Sequence, residues 1–230
     1  MLKAFVCDID GTLTDEKRRI NLHAIEMIRL LIDRGIPVVL ASGNTLCFLD
    51  AIARMIGTAG AAIGENGGVF QTGFDGPPVI TGDRSICLTA YDRLSAHFHD
   101  QGRELLPYSM SLRHADVAFA RTVPLEEIRE VISDLPVRVI DTGFAIHLQS
   151  HGISKGTALT ALAPLLSLSP PDFLAVGDSD NDLELLECAG YSITMANGSE
   201  RLKKVADMVT ERSFGDGFSD GVTSALERFG

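Results

Sequence analysis

The stretch Met1-Leu-Lys-Ala-Phe-Val-Cys-Asp8-Ile-Asp10-Gly-Thr-Leu-Thr-Asp15 decides how the rest of the chain is read. Ala4 to Cys7 is an apolar run too short for a helix, and it ends abruptly in charge. That pattern predicts a strand buried on both faces, as in a parallel sheet. Asp8 then stands at the strand's C-terminal end, where open α/β sheets place their ligands. Asp10 follows two residues on, and Gly11 lets the backbone turn away tightly. Two carboxylates at about 4 Å repel by about 4 kcal/mol at an effective dielectric of about 20. A hard divalent cation with oxygen ligands relieves this, and Mg2+ is the usual choice where phosphate is also bound. A plain polar turn after a strand accounts for a bare Asp-x-Asp equally well.

Composition narrows the class. The 230 residues allow one or two domains, and 45% apolar residues supply a core. The net charge of −11 disfavours nucleic acid and anionic membranes as partners. It also repels phosphate esters, so a phosphate site here needs local compensation by metal, lysine and backbone N–H groups. Cys7, Cys47, Cys87 and Cys188 are widely spaced, without a Cys-x-x-Cys pair, and three of them read as small core residues. There is no signal-peptide pattern and no apolar run of about 20 residues. The expectation is a soluble, cytoplasmic protein without disulfides, either a monomer or a homodimer.

Further along, Asn21 caps a helix carrying Leu22, Ile25, Ile28 and Leu31 and ending before Gly35. A second buried strand, Val38 to Ala41, ends in Ser42-Gly43-Asn44-Thr45, which completes a βαβ unit with its polar residues at one edge. A helix from Leu46 to Ile56 and a strand Ala61 to Ile63 lead to the loop Gly64-Glu65-Asn66-Gly67-Gly68. After Thr81 the style changes. Helical spacing from Ile86 to Phe98, a strand near Ala115 to Ala120, a helix from Pro124 to Leu135 and a hairpin of Val137–Asp141 with Ala145–Leu148 suggest a small α+β unit. From Ser150 the earlier style returns. Ser154 caps a helix that Pro164 should kink or stop. Phe173 to Val176 is another buried strand, ending in Gly177-Asp178-Ser179-Asp180-Asn181-Asp182. A helix closed by Gly190, short strands at Ile193 and Met208-Val209, and a terminal helix from Val222 to Phe229 complete the chain. The expected architecture is α/β: a doubly wound, Rossmann-like parallel sheet core of residues 1–81 and 150–230, split by an inserted α+β unit of residues 82–149.

Three further groups could carry chemistry. The Ser42 hydroxyl can donate to a phosphate oxygen, and the N–H groups from Gly43 onward open a helix N-terminus that favours anions. Lys155 stands at a helix start, where the macrodipole disfavours a cation. Asp178 and Asp182 are four residues apart, so one helical turn would bring both to one side. Each has a bland counterpart: an ordinary turn, a solvated lysine, an acidic N-cap run.

Taken in order, Asp8-Ile-Asp10-Gly-Thr12-Leu-Thr14, Ser42, Lys155 and Gly177-Asp178…Asp182 resemble the four motifs of the haloacid dehalogenase-like phosphohydrolase superfamily. The insertion between the second and third motifs, and the Gly64 to Gly68 loop, resemble its class-two cap branch. Within that branch the short insertion and the first motif look like the archaeal-type phosphoglycolate phosphatases, with sugar-phosphate phosphatases close behind. The resemblance implies Asp8 as nucleophile and Asp10 as general acid/base. It implies Mg2+ on Asp8, the Asp10 carbonyl, Asp178 and Asp182, with Asp180 and Asn181 supporting. Lys155, Ser42 and Gly43 would hold the phosphoryl group of a small phosphate ester, 2-phosphoglycolate first. Such a leaving group carries a carboxylate, which a bidentate arginine matches. Arg113, beside His114, is the first candidate, then Arg84 and Arg121, with His151 a weaker one. His97 and His99 are two apart on a helix and make a poor metal pair. Phosphomannomutase-like transfer, or a non-catalytic regulatory protein on the same scaffold, are the other readings; loss of a motif acid would favour the latter, and none is lost.

Overall fold

The first strand, β1 (Ala4–Cys7), is buried along its whole length and lies mid-sheet. The structure is a computed structural model that describes residues 3–229; Met1, Leu2 and Gly230, the outer ends of the expected core ranges, lie outside the described residues. β1 feeds helix α1 (Leu22–Asp33) and then β2 (Val38–Ala41), which pairs with it in parallel. Helix α2 (Leu46–Ile56) leads to β3 (Ala62–Gly64), parallel to β2. Two short strands, β4 (Val69–Gln71) and β5 (Val79–Ile80), then extend this edge antiparallel.

Residues that follow form a separate three-stranded sheet. Helix α3 (Arg84–His99) precedes β6 (Val117–Ala120), helix α4 (Leu125–Val131) precedes β7 (Val137–Asp141), and β8 (Ala145–Ser150) pairs antiparallel with both of the other strands. Cys87, Ala90, Leu94 and Phe98 of α3 fall at helical spacing and cover Val117, Phe119, Ile146 and Leu148. This unit therefore has its own apolar core.

The chain returns to the large sheet through helix α5 (Lys155–Leu162), β9 (Phe173–Val176), helix α6 (Leu183–Cys188), β10 (Tyr191–Thr194), helix α7 (Glu200–Val205), β11 (Met208–Val209) and helix α8 (Phe214–Phe229). The eight-stranded order is β11-β10-β9-β1-β2-β3-β4-β5. Alternation along β1 divides the core: Phe5 and Cys7 face the cluster that α1, α2 and α8 cover, whereas Ala4 and Val6 face α5, α6 and α7. Phe5 meets Phe218 of α8 edge to face, with ring centroids 5.7 Å apart. Helices on both faces of a mainly parallel sheet explain why its strands read as continuous apolar runs.

Several boundaries differ from the sequence reading. β4, β5 and α7 have no counterpart there, because strands of two or three residues carry no usable period. The α4 helix stops at Val131 rather than Leu135. The last helix begins at Phe214 rather than Val222. Gly215, Gly217 and Gly221 disguise its first half, since glycine is a weak helix former. Their presence reflects close packing: a Cβ at Gly221 would lie 2.8 Å from Ile193 Cγ2. At α5, the α-helix ends at Leu162 and a 3-10 turn continues from Ala163 to Leu166, as Pro164 requires.

Candidate active site

β1, β2 and β9 point their C-terminal ends at one place, as adjacent parallel strands must. Asp8 follows β1, Ser42 follows β2, and Asp178 lies two residues beyond β9. Asp8, Asp10, Ser42, Gly43, Asn44 and Asp178 line part of a cavity of about 560 Å³. Its opposite wall comes from the smaller unit and includes Arg113, Phe144 and His147.

Lys155 opens α5 and is wholly buried. The Ser154–Thr157 capping box satisfies the N-terminal N–H groups, so the lysine side chain is free to run inward. Its Nζ donates to Asp8 Oδ1 and to Asp182 Oδ1, each at 2.6 Å. Burial alone would lower the lysine's pKa, but these two carboxylates outweigh it and raise it. Asp182 Oδ2 accepts from the backbone N–H groups of Asp178 and Ser179, both at 3.2 Å. Asp182 is thus in the cluster, yet both its oxygens already serve the lysine and the loop. The spacing that suggested one turn of α-helix is instead a loop closed by a 3-10 turn over Asp180–Asp182.

Asp8, Asp178 and Asp182 each place a carboxylate oxygen within 4.8 Å of the others. With all three carboxylates ionised, the one ammonium would leave two negative charges uncompensated, the charge of one divalent cation. Burial, opposed by Lys155 and reinforced by Asp182, pushes Asp8 up to about 7. Burial and the Asp8 and Asp182 charges push Asp178 up to about 9. Asp8 Oδ2 is buried and has no hydrogen-bond partner among the described residues. A buried anionic oxygen is left so only at a high cost unless a cation meets it. This donor set is hard, oxygen-only and close-spaced, which fits Mg2+. Gly11, at φ +90°, is needed here, because a Cβ would overlap the Asp178 carboxylate.

Asp10 is held differently. Its Oδ1 accepts from Arg18 Nε and Nη2, both at 3.1 Å, and its Oδ2 accepts from Asn44 Nδ2 at 2.9 Å. The Arg18 guanidinium also lies 4.0 Å from the centre of the Phe144 ring, on the turn between β7 and β8. The Ser42 hydroxyl oxygen accepts from Asn44 N and Nδ2 at 3.1 Å, which leaves its own proton to donate.

The Gly64 to Gly68 loop joins the two units. Glu65 and Asn66 both take left-handed backbone, with φ 51° and 53°. Glu65 is fully buried, and its carboxylate accepts from the N–H groups of His114, Ala115 and Asp116 at 2.7 to 3.1 Å. Gln149 Nε2 donates back to the carbonyls of Glu65 and Asn66.

The structure therefore brings together Asp8, Asp10, Ser42, Gly43, Lys155, Asp178, Asp182 and Arg113. Asn181 lines the cavity and its Nδ2 donates to Asn66 Oδ1, whereas Asp180 turns outward to Ser199 and Arg201. Arg84 is tied to the Met110 carbonyl, and Arg121 to Asp141 away from the cavity. His97 bonds Glu127 on the far side of the smaller unit. The sequence reading did not find Arg18, Asn44, Asp116, His147 or Asn197, whose Nδ2 donates to the Gly11 carbonyl and Asp178 Oδ2. Only Asn44 had a signal, its place in the turn after β2.

The chain is similar to known proteins. A family model described as haloacid dehalogenase-like hydrolase matches residues 5–77 and 119–222. A curated relative named phosphoglycolate phosphatase, from Methanoculleus marisnigri, is 54% identical over 224 residues, covering 96% of this chain and 96% of its own. Another of that name, from Archaeoglobus fulgidus, is 40% identical, covering 99% and 97%. A solved structure from Thermoplasma acidophilum matches with a TM-score of 0.85 at 25% identity, covering 97% of this chain and 98% of its own.

Proposed function

The chain belongs to the haloacid dehalogenase-like hydrolase family, and from this we infer that it is a Mg2+-dependent phosphatase acting on a small carboxylate-bearing monoester, 2-phosphoglycolate first. The observation that carries the reading is the buried Asp8 Oδ2, unpartnered among the described residues, beside Lys155, with Asp10 two residues away. The relatives named phosphoglycolate phosphatase supply the substrate.

Asp8, Asp178, the Asp10 carbonyl and Asp182 would hold Mg2+, which when bound neutralises charge on the phosphoryl oxygens. Asp8 attacks phosphorus in line and forms an aspartyl-phosphate. Lys155 favours the ionised form of Asp8 against burial and shares the phosphoryl charge. Ser42 and the N–H groups after β2 bind the same oxygens. Asp10 gives a proton to the leaving alkoxide and then takes one from the attacking water. Arg18 and Asn44 fix its carboxylate for both steps. The unit of residues 82–149 serves as a cap that reads the leaving group, with Arg113 as its first reader.

The reading is tested by phosphate release from a panel of small esters with Mg2+. Phosphoglycolate should rank first, activity should vanish with chelator, and Mg2+ should restore it. Ca2+ should bind and inhibit, because its larger, looser shell spoils in-line geometry. Metal-independent turnover overturns the mechanism, and a preference for hexose phosphates overturns the substrate.

A further inference from the structure

One wall of the cavity is not used by the phosphate-handling residues. Asp116, just before β6, is completely buried. Its Oδ1 accepts from Arg113 Nη1 at 2.6 Å and its Oδ2 accepts from His147 Nδ1 at 2.9 Å. Burial opposes the charge on Asp116, but His147 and Arg113 together outweigh it and hold the carboxyl below its ordinary range. An ionised carboxylate only accepts, so His147 Nδ1 carries the proton in that bond. The other ring nitrogen, Nε2, is left for the cavity that His147 lines, and it has no protein partner among the described residues. Arg113 is anchored in the same manner. Its Nε donates to the Tyr108 carbonyl and its Nη1 also donates to the Gly43 carbonyl, at 3.1 and 3.2 Å. Its Nη2 has no protein partner among the described residues.

Both side chains converge on Gly43. A Cβ there would lie 3.3 Å from His147 Cε1, and Arg113 bonds its carbonyl. Gly43 follows Ser42, so the two open nitrogens stand beside the turn that handles phosphate. That placement suits a short leaving group better than a long one. A purely structural cluster would close on itself; here each of two nearly buried basic residues keeps one nitrogen for the cavity. To bind an anion, Nε2 must donate as well, and Arg113 brings a cation to the same wall in a protein of net charge −11.

We propose that His147 and Arg113, aligned by Asp116, form an anion subsite that binds the carboxylate of a short leaving group through His147 Nε2 and Arg113 Nη2. It rests on the phosphatase reading only for the ligand's phosphoryl end. The backbone anchors hold Arg113 even without Asp116, so His147 depends on that carboxylate more than Arg113 does.

The test is calorimetric binding of two non-hydrolysable ligands with Mg2+, phosphonoacetate and ethylphosphonate, which differ in the carboxylate. The wild type should favour phosphonoacetate. His147→Ala should cost phosphonoacetate roughly ten- to a hundredfold more affinity than it costs ethylphosphonate, the scale of one charge-assisted contact. His147→Gln, of similar size, guards against a packing defect and should show the same selective loss. Equal losses for both ligands, or a wild type indifferent to the carboxylate, overturn the subsite. Selective loss without turnover of phosphoglycolate would instead keep the subsite and reject the phosphatase reading.

Discussion

Asp8 shows how a single side chain can be at once costly and necessary. It is buried, shares Lys155 with Asp182, and carries an oxygen with no hydrogen-bond partner among the described residues. Asp8→Asn should bring turnover below about one-thousandth of wild type, since an amide is a poor nucleophile. The same change removes a negative charge from a crowded cluster, so without metal its melting temperature should equal or exceed that of wild type. Kinetics and thermal melts check the two halves separately, and activity within tenfold of wild type would move the nucleophile elsewhere. Asp116 behaves in the opposite sense. Its folded pKa lies below the unfolded value of about 3.9, so its stabilisation is present above that pH and is lost as pH falls through the folded pKa. Asp116→Asn should therefore destabilise the protein at pH 6, on the order of 3 kcal/mol because Arg113 and His147 lose their shared partner. The gap between variant and wild type should narrow on acidification from pH 5 to pH 3. A gap that stays constant in denaturant titrations would mean that Asp116 is not the titrating partner. Sequence spacing located Asp8 because a strand end and a carboxylate coincide. It could not locate Asp116 or His147, whose pairing joins β6 and β8 across 31 positions.

The loop between β3 and β4 is the element that ties the large sheet to the smaller unit. Its Gly64-Glu65-Asn66-Gly67-Gly68 string was recognisable by resemblance, but its physical role was not. Two successive non-glycine residues in left-handed backbone are costly, and the cost is offset by what they reach. The Glu65 carboxylate covers three consecutive N–H groups, 114 to 116, just ahead of the strand that follows Asp116. These N–H groups have no sheet partner among the described residues, since β6 pairing begins at Val117. Glu65→Gln keeps the shape but turns one acceptor into a donor facing donors, which should cost about 1–3 kcal/mol. Hydrogen exchange is the direct readout: amides 114 to 116 should exchange faster in the variant, while those of β1 and β9 should not change. Uniform protection in both proteins would show that the two units are held by other contacts. The neighbouring glycines sharpen this point, because Gly68 and Gly82 approach Ala115 so closely that a Cβ would sit 2.6 and 2.9 Å from its Cβ.

The molecule as a whole consists of a large sheet whose strands are legible and a smaller unit whose side-chain pairings are legible only in three dimensions. β1, β2 and β9 were readable because both faces are buried, which writes four apolar residues in a row and then polar ones. β4 and β5 were not, being short edge pieces that depend on β3 for register. Of the site, the core carboxylates, Ser42 and Lys155 were legible because each closes a strand or opens a helix. Arg18 and Asn197 were not, because they act from loops that only folding brings beside Asp10 and Asp178.

That division of labour predicts the behaviour of a protein lacking residues 82–149, with a short linker in their place. All four motifs and both apolar layers of the large sheet lie outside the deletion. The smaller unit's core is separate, so its removal leaves no hole in either layer. What is exposed is local: Glu65 and Asn66 lose their partners on 114 to 116 and on Gln149. The truncated chain should therefore unfold cooperatively at a reduced temperature, and Mg2+ should still raise that temperature by binding the folded state alone. Turnover of a small aryl phosphate should persist in part, since Asp8, Asp10, Lys155 and Ser42 remain. Preference for phosphoglycolate over an uncharged ester should disappear, because Arg113 and His147 are gone with the deleted segment. Cooperative melting with Mg2+ stabilisation and no preference supports the split at 81 and 150. A chain that cannot fold at all would make residues 82–149 part of the core, and one that keeps its preference would place the leaving-group reader in the large sheet's own loops.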